Sequence, residues 1–306
     1  MSGMIETFVG SVQTWECDAM GHMNVQFYVQ RAVDGLAAIG LRLGCGPAYS
    51  RSAGARLVPL DHHIRFLKEQ RPGAPFAVLG GVLDIAGERI RLYQEVRNTA
   101  TGAIAASFIS EAALVDSRTR QEQPLPAELR AKAGGLQVDL PAHGAPKGLV
   151  LDVPRRPPSL DEAERAGLLL SYQGPVALQD CDEFGFLTTR SYMARVSEAI
   201  PNLVARTRGV DRSGDGKLGG AALEYRFIYR AAPRAGDILV LRSGLKSVTA
   251  KTVTYAHWLF DLESGASVAT AEAVAVTLDL VARKAIEIPP AMRAALATQV
   301  VPGLSV

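Results

Sequence analysis

Apolar positions recur along this chain with two different periods. From about Val25 to Gly40 they fall at helical spacing, with Val29, Val33, Leu36, Ala37 and Gly40 on one small, apolar face and Gln30, Arg31 and Asp34 turned outward. Asn24 directly ahead is a good N-cap, and Gly40, Gly44 and Gly46 stop the helix. On either side the period shortens to two, which predicts strands at about Thr7 to Thr14, Leu57 to Phe66, Phe76 to Ile85, Arg89 to Asn98 and Ala103 to Val115. Ile90, Leu92 and Gln94 alternate with Arg91, Tyr93 and Glu95, and turns fall at Pro72-Gly73, Ala86-Gly87 and Thr101-Gly102. One apolar helix among these strands predicts an α+β unit in which a curved antiparallel sheet wraps around the helix.

From about Asp116 to Gly167 the pattern lapses into Gln121-Glu122-Gln123-Pro124, Lys132-Ala133-Gly134-Gly135 and Pro154-Arg155-Arg156-Pro157-Pro158. This is linker chemistry, with short helices expected at Ala127–Ala131 and, after Ser159, at Leu160–Ala166, and with Arg155-Arg156 read as solvated. A strand near Pro175–Leu178 and a helix from about Thr189 to Arg206, carrying Met193, Val196, Ile200 and Val204, then resume the plan. Pro201 predicts a kink or break in that helix. A Gly-rich loop, Gly209 to Gly220, precedes strands at Ala221–Tyr229, Ile238–Val248, Thr252–Asp261 and Val268–Val281, and Pro289 to Thr298 reads as a short terminal helix.

The resumption is a repeat. An offset of 164 positions, Asp18 to Asp182, also lays Gly10, Val12, Cys17, Gly21, Tyr28 and Arg31 on Gly174, Val176, Cys181, Gly185, Tyr192 and Arg195. The same offset pairs Glu16 with Asp180, Asp34 with Glu198 and Asn24 with Thr188. Further on, Arg65-Phe66 and Pro72 match Arg226-Phe227 and Pro233 at an offset of 161, so a small deletion separates helix from strand. The boundaries expected are 1–120 and 168–288 for the two copies, 121–167 for a linker with short helices, and 289–306 for a terminal helix and tail.

Composition narrows the function classes. The 306 residues are 48% hydrophobic, enough for a core in each half. The 33 basic and 31 acidic residues leave a net +2, which gives no electrostatic footprint for nucleic acid. Neither a signal-peptide start nor a run of about 18 apolar residues is present, and three cysteines without framework spacing fit a reducing compartment, so the expected location is cytoplasmic without membrane contact. There is no G-x-S-x-G elbow, no phosphate loop after a strand and no metal-ligand spacing around His62 and His63, so no metal is expected.

The candidate chemistry lies in Trp15-Glu16-Cys17-Asp18-Ala19-Met20-Gly21-His22-Met23-Asn24, where a carboxylate, an imidazole and a carboxamide precede a helix start. Unpaired N–H groups and the positive end of the helix dipole can hold a developing oxyanion there. The plainer reading is a capped helix after a turn, with Asp18 and His22 serving only the loop. Cys17 and Cys181 precede the two aspartates and read as small buried residues rather than nucleophiles. Arg65, Arg71, Arg226 and Arg230 are weak candidates for phosphate contacts.

Asp18-Ala19-Met20-Gly21-His22-Met23-Asn24 with Tyr28 resembles the signature of the hotdog-fold acyl thioesterases of the 4-hydroxybenzoyl-CoA thioesterase-like group. The likeness covers both halves, about 120 residues each, and the tandem layout is also similar to the plant acyl-ACP thioesterases, whose Asp-x-Asn-x-His motif Asp18 and His22 fit with Met20 replacing the asparagine. The resemblance implies two hotdog domains forming an intrachain pseudo-dimer that hydrolyses an acyl-CoA or acyl-carrier-protein thioester. Asp18 would be nucleophile or general base, with His22 and Asn24 beside it and Asp182 as its counterpart. Amides at Met23 and Val25 would form the oxyanion hole, and Tyr28, Thr188 and Tyr192 complete the substrate-binding set, although Tyr28 and Tyr192, one turn into their helices, read first as packing between helix and sheet. No cofactor is implied; CoA or phosphopantetheine enters only as part of the substrate. The chain departs from the pattern at Glu16, where an aspartate is usual, and in the second half, where Phe186 and Thr188 replace the histidine and asparagine. A non-catalytic acyl binder and a hotdog hydratase or dehydratase are the alternatives, and assembly is left as a monomeric pseudo-dimer or a higher homo-oligomer.

Overall fold

The computed structural model describes residues 3–207, 218–282 and 284–306. The chain divides into two compact units, one formed by Met1–Pro146 with Thr188–Met193 and the other by Lys147–Leu187 with Ala194–Val306.

In the first unit the order is β1 (Ile5–Ser11), α1 (Val25–Arg42), α2 (Pro47–Ala53), β2 (Ala55–Phe66), β3 (Pro75–Ala86), β4 (Arg89–Asn98), β5 (Ile104–Asp116), β6 (Glu122–Gln123) and α3 (Ala127–Ala133). The sheet runs β1-β3-β4-β5-β2, every pair antiparallel, with β6 added to β5. α1 lies on one face of it and buries Tyr28, Val29, Ala32, Gly35, Leu36, Ile39 and Gly40. That stripe is rotated from the expected one, since Ala37 is exposed and Val33 only half-buried. Gly35 marks the closest approach, where a Cβ would stand 2.6 Å from Thr7 Oγ1 and 2.7 Å from Gln94 Nε2. α2 was not foreseen. It starts on Gly46-Pro47 and ends on Gly54 at φ 66°, so Gly46, which read as a breaker, serves instead as its N-cap.

The second unit repeats this plan with α4 (Leu160–Arg165), β7 (Leu169–Pro175), α5 (Thr189–Arg206), β8 (Leu218–Tyr229), β9 (Ile238–Val248), β10 (Thr252–Asp261), β11 (Ser267–Asp279), β12 (Lys284–Ile286) and α6 (Pro290–Ala297). Its sheet runs β8-β11-β10-β9-β7, again antiparallel, with β12 on β11. α5 continues through Pro201 without the expected break. Pro201 is exposed, so water can replace the lost ladder bond. β7 begins six residues earlier than Pro175 and is followed by a single 3-10 turn at Leu178–Asp180, matching the turn at Thr14–Glu16. Of the Gly-rich loop, Gly209 to Lys217 lies within the stretch outside the described residues, while Leu218, Gly219 and Gly220 open β8.

The duplicated segment is longer than the two 120-residue halves. A parallel bridge joins Val82 to Gln137 and another joins Leu245 to Val300, an offset of 163 at both ends, and Val138 N–H to Val82 O (2.9 Å) recurs as Val301 N–H to Leu245 O (2.8 Å). By the same offset α3 corresponds to α6. The stretch from 121 to about 143, read as linker, therefore repeats as the terminal helix and tail. Leu125, Leu129 and Ala133 close the first core with Ile39, Leu43, Ile90, Leu92 and Leu114, while Leu296 closes a cluster with Leu245, Val253 and Ile288 in the second unit.

The remaining connector is strapped down. Arg65 donates to the carbonyls of His143 (2.6 Å) and Ala145 (3.2 Å), and its repeat partner Arg226 donates to Val150 O (3.0 Å) and Asp152 O (2.7 Å). Glu224 accepts the amides of Lys147 and Gly148, and Arg230 donates to Arg155 O. These arginines bind chain rather than phosphate, and Arg71 is exposed. Arg155 is not a free linker charge either. It pairs with Glu162 and lies 4.8 Å over the Trp258 ring, whereas Arg156 is 73% exposed.

Two buried histidines make the fold acid-sensitive. His62 packs edge-on to Phe108, and His257 ends a buried chain running from Leu241 O through Ser171 and Ser243 to its Nδ1 (3.2, 2.7 and 2.8 Å). Burial pushes them down to about 3 and about 4. Because both values lie below that of an unfolded histidine, their stability is fully present above about pH 6.5 and is lost as pH falls toward the folded values. Between pH 6.5 and 5.5 the pair should cost about 2 kcal/mol. Denaturant unfolding at the two pH values measures it, and His257→Gln, copying Gln94 of the first unit, should remove about half of that pH dependence.

Candidate active site

The motif folds as a tight loop ahead of α1. Asp18 N–H donates to His22 O (3.0 Å), Gly21 N–H returns to Asp18 O (2.9 Å), and Cys17 bridges Met23. Gly21 takes φ 76°, a conformation that glycine adopts without strain. The second unit repeats each feature with Asp182, Phe186, Gly185 (φ 80°) and the Cys181–Leu187 bridge.

Behind each loop lies a carboxylate paired with a helix arginine, fully buried in the first unit and half-buried in the second. Glu16, 2% exposed, accepts from Gln13 N–H and pairs with Arg31, which also reaches Asp34 at 3.0 Å. In the second unit Asp180 pairs with Arg195 at 2.5 Å, and Arg195 reaches Glu198 at 3.5 Å. The departure at Glu16 is thus structural, and the helix acids Asp34 and Glu198 are each held by an arginine.

Asp18 uses its two oxygens differently. Oδ1 accepts Met20 N–H at 2.8 Å, and Oδ2 lies 3.5 Å from His22 Nδ1. On the far side of the imidazole, Glu69 Oε1 lies 3.7 Å from Nε2. Asp18, His22 and Glu69 are 29%, 17% and 40% exposed, so the line opens to solvent. Glu69 was missed from sequence. It sits 47 residues from His22 in a polar turn, and only the fold brings the two together.

The amides past the loop are mostly committed. Met23 N–H goes to Gln70 O (2.8 Å), Asn24 N–H to Glu16 O (2.8 Å), Gln26 N–H to the capping Asn24 Oδ1 (3.1 Å) and Phe27 N–H to Asn24 O (3.0 Å). The expected oxyanion role of Met23 therefore falls away. Val25 N–H, at the first position of α1, has no protein acceptor among the described residues.

Tyr28 is also reassigned. It is 3% exposed, edge-on to Phe66 at 5.4 Å, and burial pushes its phenol up, so it joins helix to sheet rather than facing a ligand. Tyr192 is 4% exposed in the same way, and Thr188 Oγ1 meets Ser191 Oγ at 2.9 Å. Burial, then the neighbouring carboxylates, push the Cys17 and Cys181 thiols up, which disfavours the nucleophilic thiolate.

The Asp182 loop carries Phe186 where the Asp18 loop carries His22. Asp182 Oδ1 accepts both Phe184 N–H (2.9 Å) and Phe186 N–H (3.1 Å). Phe186, at the His22 position, is buried with the Arg234 guanidinium 4.1 Å over its ring. Among the described residues no group of three or more His, Cys, Asp or Glu is placed to hold a metal ion, and no helix is long and apolar enough to cross a membrane.

Comparison with solved structures supports the fold. An acyl-ACP thioesterase from Bacteroides thetaiotaomicron superposes with a TM-score of 0.66 at 12% identity, covering 89% of this chain and 98% of that one. The 12:0-ACP thioesterase from Umbellularia californica gives 0.65 at 16% identity over 90% and 94%. A Lactobacillus plantarum protein provisionally assigned as an oleoyl thioesterase gives 0.68 at 14% identity over 90% and 97%. At these identities the likeness establishes two hotdog domains in tandem. A comparison with curated proteins finds no match. The sequence itself matches the thioesterase-like superfamily twice, over residues 12–133 and 176–296, which take in both α3 and all but the last residue of α6. The chain belongs to that superfamily, carrying one copy of its domain in each half.

Proposed function

We propose that the protein hydrolyses an acyl thioester at the Asp18 loop. The observation carrying this reading is the Glu69–His22–Asp18 line, with the Val25 N–H three residues after His22 at the start of α1. The thioester carbonyl oxygen, as it gains negative charge, is received by the Val25 amide and the helix dipole. Asp18 Oδ2 takes the proton of an attacking water or attacks the carbonyl itself, and His22 holds that oxygen in place. Water is consumed, the C–S bond breaks, and free acid and thiol leave. Asn24 acts as the cap that fixes the helix start.

For the second loop the better reading is structural, because Asp182 spends one oxygen on two backbone amides and Phe186 fills the imidazole position. A hydratase working from the helix acids is disfavoured, since Arg31 and Arg195 hold Asp34 and Glu198. The substrate is an acyl-CoA or an acyl-carrier protein, the second being the substrate named for two of the similar structures.

A thiol-release assay against acyl-CoAs from short to long, aromatic ones included, and against acyl-carrier proteins tests the reading. We expect turnover of one class. Release from none of them would leave the Asp18 loop a binding site only.

A further inference from the structure

Resting on that hydrolase reading, we infer that Gln70, itself fixed by Asn98, is a positioning residue that keeps Glu69 set against His22. The Glu69 side chain is 40% exposed, and a half-exposed side chain is aimed only as well as its backbone is fixed. Gln70 fixes that backbone at both peptide bonds. Its Nε2 donates to Glu69 O at 2.9 Å and, at greater length, to Lys68 O at 3.4 Å, the carbonyls on either side of the Glu69 Cα. Its own carbonyl takes the N–H of Met23, one residue past His22, at 2.8 Å. One residue thus ties the chain at Glu69 to the chain at His22.

The direction of this clamp is set by Asn98. In the turn between β4 and β5, Asn98 Oδ1 accepts Ala100 N–H and Thr101 N–H, each at 3.0 Å, which leaves its amide nitrogen to face Gln70. Asn98 Nδ2 donates to Gln70 Oε1 at 2.8 Å, and this turns the Gln70 donors toward the Glu69 and Lys68 carbonyls. Gln70 is 3% exposed and Asn98 9%, so water does not replace a partner that is lost.

The fold alone does not require the pair. Leu187 N–H donates to Pro233 O at 2.8 Å as Met23 N–H does to Gln70 O, and Asp261 pairs its N–H and carbonyl with Ala266 and Gly265 as Asn98 does with Ala103 and Gly102. By these bonds Pro233 and Asp261 stand where Gln70 and Asn98 do, which shifts by two positions the pairing that sequence gives Pro72. Neither a proline ring nor a carboxylate can give the amide donor that the clamp needs. The same copy carries Phe186 in place of His22, so the amide pair accompanies the imidazole it serves.

The test measures kcat, KM and thermal melting of full-length Asn98→Asp, Gln70→Leu and Glu69→Gln, and of the first two each combined with Glu69→Gln, on the thioester that the wild type turns over. In Asn98→Asp the carboxylate can still accept the turn amides, as Asp261 Oδ1 accepts Ser264 N–H at 2.8 Å, while it draws the Gln70 amide toward itself and away from Glu69. Gln70→Leu and Glu69→Gln should each lower kcat about tenfold and Asn98→Asp about fivefold, with KM within about twofold. Once Glu69→Gln is in place, neither of the other changes should cost more than about a further twofold, because Gln70 acts through Glu69. A residue that only braced the turn would lower kcat by the same factor in both backgrounds. Wild-type kcat in any of the three single variants, losses that multiply with that of Glu69→Gln, or a loss confined to KM would each overturn the inference while leaving the hydrolase reading intact. Should thermal melting show Gln70→Leu unfolded, Asn98→Asp decides alone. A wild type inactive on every thioester overturns both.

Discussion

Replacing Asp18 with Asn should lower thioester turnover by about a thousandfold or more, while Asp182→Asn should stay within about twofold of wild type. The prediction is sharp because the two loops share their backbone geometry. In Asp18→Asn the carboxamide oxygen can still accept the Met20 N–H that Oδ1 now accepts at 2.8 Å, so the loop should keep its shape and lose only a basic, nucleophilic oxygen. At the Asp182 loop Phe186 takes the position of the imidazole, and its ring is covered by Arg234. Steady-state rates of the two purified variants on one substrate decide the matter. Equal losses would mean that both copies react, and an unimpaired Asp18→Asn would remove Asp18 from the mechanism.

The largest stability effect is expected from Arg31→Ala. Glu16 is 2% exposed, and with Arg31 gone its carboxylate would remain buried with only Gln13 N–H to answer it. Stranding a buried charge costs about 3–5 kcal/mol, and the 19% exposure of Arg31 places this case near the lower end. For a chain of this size that is a fall of roughly 5 °C in the thermal midpoint. Replacing both partners, Glu16→Gln with Arg31→Met, should recover most of it, because no charge is then left without a partner. A melt of Arg31→Ala within about 1 °C of wild type would show that water reaches Glu16. Arg195→Ala should cost less in the second unit, where Asp180, at 14% exposure, is open to water.

Much of this was legible in the sequence because the signals were local. Asn24 ahead of an apolar period placed α1 to within two residues of its end, the Gly-containing turns placed β3 and β4 to within about one residue, the bounds expected for β9 and β10 match as closely, and the 164-residue offset located the second loop. What failed was what depends on distant partners. Gln70 O takes the Met23 amide from 47 residues away, so an oxyanion donor expected from helix position alone was already spent. Glu69 gave no local signal for the same reason. The extent of the repeat was misjudged because α3 and α6 share little beyond Pro126 with Pro289, Arg130 with Arg293 and Ala131 with Ala294; their equivalence shows in the bridges to β3 and β9, not in side chains. Glu16, Arg31 and Asp34 did recur in the repeat, yet recurrence of a charge does not say whether it holds substrate or holds the loop.

The Phe186 and Thr188 copy bears on how such a protein can evolve. A hotdog assembled from two identical chains must accept any mutation at both loops at once, so loss of a histidine there silences every centre together. Covalent fusion uncouples the two alleles. One copy can keep its acid–base residues under selection for turnover while the other is released to drift toward packing. The buried phenylalanine under Arg234 then reads as the record of that release.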